Sequence, residues 1–106
     1  MRYLLIKNAN VVYEDQIKPA DILIKDNLIE DVDFSGEIPE DTVIIDAKGM
    51  YLSPGFIDIH VHGGGNKSAM STNYNDIIEM AEAHLKYGTT SIVPTTLASP
   101  IEQLKN

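Results

Sequence analysis

The chain is 106 residues long and 43% hydrophobic, enough for one ordinary domain with a core and too apolar for a disordered segment. Its formal charge of -8, from 16 acidic against 8 basic residues, argues against a nucleic-acid partner, which requires clustered Lys and Arg. There is no cysteine, so disulfides, thiolate ligands and thiol nucleophiles are excluded, and any metal must be held by His and carboxylate side chains.

The first apolar run, Tyr3-Leu4-Leu5-Ile6, is too short for a signal peptide, and no stretch approaches the ~18 apolar residues of a membrane span. A soluble, cytoplasmic protein with no membrane partner is expected. Residues 3–6 and 11–13 read as strands bracketing Asn8-Ala9-Asn10. Residues 22–25 and 28–32 read as strands flanking Asp26-Asn27, a two-residue hairpin turn whose residue types tolerate positive φ. The segment 33–41 carries Gly36, Pro39 and the acids Asp33, Glu37, Glu40 and Asp41, which predicts a solvated loop. Residues 43–45 form another strand, and Ala47-Lys48-Gly49 turns the chain into Met50-Tyr51-Leu52. This half reads as a small antiparallel β unit.

After Pro54-Gly55 the pattern changes. Residues 56–62 read as a strand and Gly63-Gly64-Gly65-Asn66 as a loop. Tyr74, Ile77, Ile78, Ala81 and Leu85 fall at helical spacing, with Gly88 ending that helix. Ser91-Ile92-Val93 is a second strand, closing at Pro94-Thr95-Thr96. Ser99 and Pro100 mark another helix, with Ser99 as its cap, running to Asn106. Strand, helix, strand, helix is the rhythm of a parallel α/β fold. Two parallel strands do not make a stable sheet alone, and a (β/α)8 barrel takes ~250 residues. The second half is therefore expected to be the opening of such a barrel, truncated. Ile57, Ile59, Ile92 and Val93 would then be left uncovered, which predicts self-association or a companion fragment.

The stretch that carries chemistry is Pro54-Gly55-Phe56-Ile57-Asp58-Ile59-His60-Val61-His62-Gly63. Side chains alternate along a strand, so Phe56, Asp58, His60 and His62 share one face. Two His at i and i+2 have Cα atoms ~6.6 Å apart, and both imidazoles can tilt toward one ion at ~2.1 Å. Imidazole suits Zn, Fe, Ni or Mn better than Ca or Mg. Two His alone do not complete a site. An isolated His-x-His on a strand is weak evidence; its place at a strand end, before a glycine run, strengthens it.

At these residues the sequence resembles the amidohydrolase superfamily, whose members carry a Pro-Gly-Phe-Ile-Asp-x-His-x-His strand. The glycine run Gly63-Gly64-Gly65, the segment Ala83-His84-Leu85-Lys86-Tyr87-Gly88-Thr89-Thr90-Ser91 and Pro94-Thr95-Thr96-Leu97 narrow the likeness to the N-acetylglucosamine-6-phosphate deacetylase family. The resemblance runs through essentially the whole chain. It implies an N-terminal antiparallel β-sandwich portion over residues 1–53 and the first βαβ of a TIM-like (β/α)8 barrel over residues 54–106, an incomplete fragment. It implies His60 and His62 as metal ligands for one or two divalent ions, Zn or Fe, in a homo-oligomer acting on an amino-sugar phosphate. Hydrolysis of an acetamide by metal-activated water is the implied reaction. A metal-binding Glu, two further His and an Asp base would lie beyond this chain. No catalytic residue is expected within it, and no hydrolase activity from it alone.

Other residues carry two readings each. Asp58 is either an orienting partner of the His pair or a plain hydrogen-bonding residue of the strand. Gly63, Gly64 and Gly65 either bring backbone N–H groups to a substrate or supply positive φ. Thr95 and Thr96 are candidate pocket-lining residues, though Thr is common in strands. His84 reads as packed against the strand layer rather than as a ligand. Dihydroorotase-like or hydantoinase-like chemistry, or a non-catalytic β module, remain the alternatives.

Overall fold

A computed structural model describes residues 1–105; the expected end of the last helix at Asn106 lies outside the described residues. The chain divides into two compact units, Met1–Pro54 and a second from Gly55 onward.

The first unit is a mixed sheet built on β1 (Tyr3–Val12). Strands β2 (Ile17–Lys25), β3 (Leu28–Asp31), β4 (Val43–Asp46) and β5 (Tyr51–Leu52) complete it, in the order β3-β2-β1-β4, with β5 also on β1. The pairs β1–β2 and β2–β3 are antiparallel, and Lys25 pairs with Leu28 across the expected Asp26-Asn27 turn. The expected antiparallel unit ends there. Strands β4 and β5 run parallel to β1, because the loop after β3 carries the chain back to the start of β1 before β4 begins.

Residues 3–6 and 11–13, expected as two strands, are one strand with a bulge. Ile6 pairs with Ile22 and Ala9 with Ala20, so β1 spends one residue more than β2 between them. Asn8 sits there at φ 59, with its N–H on Asp21 Oδ1 and its amide nitrogen on Asp46 Oδ1. The extra residue restores Ala9 and Val11 to the face of Ile6. That face holds the core of Ala9, Val11, Ala20, Ile22 and Ala47, with Ile6, Tyr13, Ile24 and Leu52 packed against it.

The second unit holds β6 (Phe56–Val61), β7 (Gly63–Gly64), β8 (Lys67–Ser68), α1 (Tyr74–Leu85), β9 (Thr89–Pro94) and α2 (Ile101–Leu104). Strands β6 and β9 are parallel neighbours joined through α1, the expected βαβ order. Helix α1 is capped by the Asn73 side chain, which accepts from the Asn75 N–H. Gly88, at φ 99, stops it, donating its N–H to the Leu85 carbonyl.

Two local expectations change, and the structure adds the buried side of α1. The loop at 63–66 is a tight hairpin: β7 and β8 pair antiparallel around Gly65 and Asn66, at φ 57 and 62, the two positive values a type I′ turn needs. The buried side of α1 is turned toward that hairpin. Met80 is fully buried, whereas Tyr74, Ile78 and Leu85 are exposed. Ile78 and Leu85 line a 200 Å³ cleft with Ile92. Finally, Ser99 does not cap α2. Pro100 takes the cap position without a side-chain bond, and the Ser99 hydroxyl donates to the Gln103 side chain instead.

Of the apolar face expected on β6, Val61 is buried while Ile57 and Ile59 are 70% and 77% exposed. Val93 is also exposed, and Ile92 is half-buried.

Candidate metal-binding pair at the end of β6

Strand β6 ends at Val61, and the chain leaves it through His62 into the β7–β8 hairpin. The strand period places His60 and His62 on the same side. Their Nε2 atoms are 3.0 Å apart, with the rings edge-to-face at 82°. Both rings are exposed, so hydrogen bonds rather than packing set their direction.

The ring of His62 is fixed from the far side. Its Nδ1 lies 2.8 Å from the backbone carbonyl oxygen of Thr95. A carbonyl only accepts, so the Nδ1 of His62 carries the proton and its Nε2 presents a lone pair toward His60. Thr95 is itself held by its N–H on the Val61 carbonyl, which extends the β6–β9 pairing past Pro94.

The pair suits a divalent cation. Two nitrogens 3.0 Å apart can both lie ~2.1 Å from one ion at an angle near a right angle. A carbonyl on the remote nitrogen is the usual support of a metal-binding imidazole. Among the described residues, however, no group of three or more His, Cys, Asp or Glu side chains comes together. The two His side chains supply two donors, fewer than a complete cation site needs.

Asp58 touches neither ring through a hydrogen bond. Its Oδ1 accepts the backbone N–H of His60, at the place where the β6–β9 register shifts. Thr95 contributes its carbonyl, while its hydroxyl donates to the Val93 carbonyl. Thr96 is exposed. The structure therefore gathers His60, His62 and Thr95, and leaves the side chains of Asp58 and Thr96 outside the pair.

The glycines after His62 are demanded by close packing. A Cβ on Gly63 would lie 2.6 Å from the Lys67 carbonyl oxygen, one on Gly64 2.7 Å from Nε2 of His84, and one on Gly65 3.1 Å from Cβ of Ala83. The hairpin lies directly on α1. Two polar ties hold it there. His84 Nε2 is 2.9 Å from the Gly63 carbonyl oxygen. Lys67 Nζ is 3.4 Å from Asp76 and 3.5 Å from Glu79. The Asp76 carboxyl is held below its ordinary value by the Ser71 hydroxyl and then by Lys67, and the Lys67 ammonium is held above its own by Asp76 and then Glu79.

Sequence reasoning placed His84 against the strand layer; the structure seats it on the glycine hairpin. The Gly-Asn pair at 65–66 was the available signal, since that dipeptide marks a hairpin turn. A hairpin there brings Gly63 and Gly64 onto the helix carrying His84.

No family model matches the sequence. A dihydroorotase from Staphylococcus aureus is 35% identical over 101 residues, spanning 92% of this chain and 22% of the relative. An N-acetylglucosamine-6-phosphate deacetylase from Haemophilus influenzae is 32% identical over 107 residues, spanning 100% of this chain and 28% of the relative. The crystal structure of N-acetylglucosamine-6-phosphate deacetylase from Pasteurella multocida superposes with a TM-score of 0.85 at 28% identity, over 97% of this chain and 28% of that one. The chain thus spans between a fifth and a third of the length of these proteins.

Proposed function

We propose, from the premise that this chain has the fold of the amidohydrolase superfamily and is related to N-acetylglucosamine-6-phosphate deacetylase-like proteins, that it forms part of a metal-dependent deacetylase. The substrate on this reading is N-acetylglucosamine 6-phosphate, cleaved to glucosamine 6-phosphate and acetate. Residues 1–53 are the N-terminal contribution to a small β-sandwich, and residues 54–106 open the catalytic barrel.

The observation that carries the reading is the 3.0 Å convergence of the His60 and His62 Nε2 atoms. His60 and His62 would hold a divalent ion, Zn or Fe. Such an ion supplies a Lewis acid that polarises the acetamide carbonyl and brings the pKa of water toward ~7. The chain's own part is to aim both Nε2 atoms at one point and to hold the proton of His62 on Nδ1. Gly63, Gly64, Gly65, Thr95 and Thr96 would border the pocket at this strand end, where barrel active sites lie. This reading takes the protein to be a cytoplasmic homo-oligomer. Among the described residues no helix is long and apolar enough to cross a membrane.

The likeness to a dihydroorotase at 35% identity favours a second reading, a cyclic-amide hydrolase using the same His pair. One experiment separates the two. The intact Zn2+- or Fe2+-loaded protein is given N-acetylglucosamine 6-phosphate and, separately, dihydroorotate. Acetate release from the first supports the deacetylase. Ring opening of the second alone supports the alternative, and turnover of neither removes both. The 106-residue chain by itself is expected to release no acetate, since it brings two ligands and no proton-transfer group to the pair.

A further inference from the structure

We infer that His84, on helix α1, is a positioning residue for His62. Its Nε2–H bond to the Gly63 carbonyl sets the direction in which the His62 imidazole leaves the strand. This inference rests on the reading of His60 and His62 as a metal pair and assigns that pair a support from outside the strand.

The argument starts from what holds His62. The residue is exposed, so no packed wall fixes its ring. Its carbonyl oxygen accepts the Ala69 N–H at 2.7 Å, and its Nδ1 meets the Thr95 carbonyl oxygen at 2.8 Å. The next peptide carbonyl along, that of Gly63, meets His84 Nε2 at 2.9 Å. A carbonyl only accepts, so Nε2 of His84 is the donor. Three bonds from the hairpin, the end of β9 and α1 thus converge on two consecutive residues. Without the His84 bond the Gly63–Gly64 peptide would keep only its hairpin pairing, and the exit from the strand at His62 would rest on the Ala69 and Thr95 bonds without a tie to α1.

The glycine at 64 fits the same purpose. A Cβ there would stand 2.7 Å from Nε2 of His84, so only glycine lets the imidazole reach the Gly63 carbonyl. His84 is half-buried, and its other tie-mate, Lys67, holds the opposite strand of the hairpin through Asp76 and Glu79. Holding the hairpin and aiming His62 are therefore separable. The Lys67 side chain does the first through Asp76 and Glu79, while its backbone carbonyl stays beside Gly63 whatever side chain it carries.

The test compares His84→Gln, His84→Asn and Lys67→Met in the protein carrying the full 106-residue sequence. The Gln amide nitrogen reaches the place of Nε2, and that of Asn is one bond short. Two readouts are taken: the tautomer of His62 by long-range 1H–15N correlation with the imidazoles neutral, and Co2+ affinity by competition with a chromophoric chelator. For His84→Asn, His62 is expected to lose its uniform Nδ1–H state, and Co2+ affinity to fall ~10–100-fold, the range for loss of an outer support. His84→Gln should keep both near the unsubstituted values. Lys67→Met should lower thermal stability and leave both readouts alone. An unchanged His62 tautomer in His84→Asn overturns the inference. So does a Lys67→Met effect on His62 equal to that of His84→Asn at equal loss of thermal stability, because the role would then be stability alone. If the unsubstituted protein binds no Co2+ while His84→Asn still releases the His62 ring, the metal reading falls and the positioning role stands.

Discussion

Nδ1 of His62 and the carbonyl oxygen of Thr95 lie 2.8 Å apart, joining residues 33 positions apart across the ends of two parallel strands. The bond decides the chemistry of the pair. It leaves the Nε2 lone pair of His62 directed at the Nε2 of His60, 3.0 Å away. A single cation replacing the proton between them would take both nitrogens. Replacing either imidazole by Ala should therefore lower Zn2+ affinity by more than the ~10–100-fold that loss of an outer support brings. Competition titration measures this. Equal affinities for the His60→Ala variant and the unsubstituted protein would sink the assignment.

The start of the same strand pair offers a packing test. A Cβ on Gly55 would collide with the side chain of Thr90, so Gly55→Ala should destabilise the second unit by about 1–3 kcal/mol, as overpacking does. Thr90→Gly, which removes the colliding atoms, should recover much of that loss in the double variant. Thermal melts of the three variants check the coupling, and additive losses would rule out the contact.

The hairpin tie titrates. Asp76 is held below its ordinary value of 3.8, by the Ser71 hydroxyl first and Lys67 after it. A depressed carboxyl contributes stability that is complete above 3.8 and lost as pH falls through the lower folded value. Lys67 is held above 10.5, first by its bond to Asp76, so its contribution is complete below 10.5 and lost as pH rises through the higher folded value. The melting temperature of Asp76→Asn should thus lie below that of the unsubstituted protein across the neutral range, with the gap closing in acid below 3.8. A gap that persists unchanged at the lowest pH would show that the carboxylate charge is not what ties the hairpin to α1. Both side chains are half-buried and still reach solvent, so the gap is small and salt narrows it.

The parts of this arrangement differ in how far the amino-acid order reveals them. The approach of His60 and His62 follows from period-two alternation, a local property of one strand. The helix bounds at Tyr74 and Leu85 follow from apolar spacing and from Gly88. The bulge at Asn8 does not, because it exists to keep Ile6, Ala9 and Val11 on one face opposite Ile22 and Ala20, a demand made by the partner strand. The Thr95 contact was hidden for another reason. The sequence marks Thr95 only as a candidate pocket-lining residue, whereas the bond to His62 is made by its backbone carbonyl, which every residue type possesses. The buried side of α1 was not legible for a third reason. Apolar spacing marks Tyr74, Ile77, Ile78, Ala81 and Leu85 alike, whereas the hairpin meets the helix at Ala83 and His84 and the fully buried residue is Met80.

Two apolar side chains on β6 bear on solution behaviour. Ile57 and Ile59 point to one face, as i and i+2 residues of a strand must, and stand 70% and 77% exposed. Phe56 at 60% and Val93 at 51% add further exposed apolar area on the two paired strands. Apolar surface of this kind drives association, and burying it between copies returns roughly 25 cal/mol per Å2. Since each isoleucine leaves most of its surface to solvent, replacing both should cost little fold stability. Thr keeps the β-branch that suits a strand while adding a hydroxyl. The Ile57→Thr, Ile59→Thr double variant is expected to shift the protein toward monomer in sedimentation velocity, with a melting temperature close to the original at low concentration. Unchanged association would place the contact elsewhere on the surface. A large drop in melting temperature would mean that the two side chains are buried in the folded chain in solution.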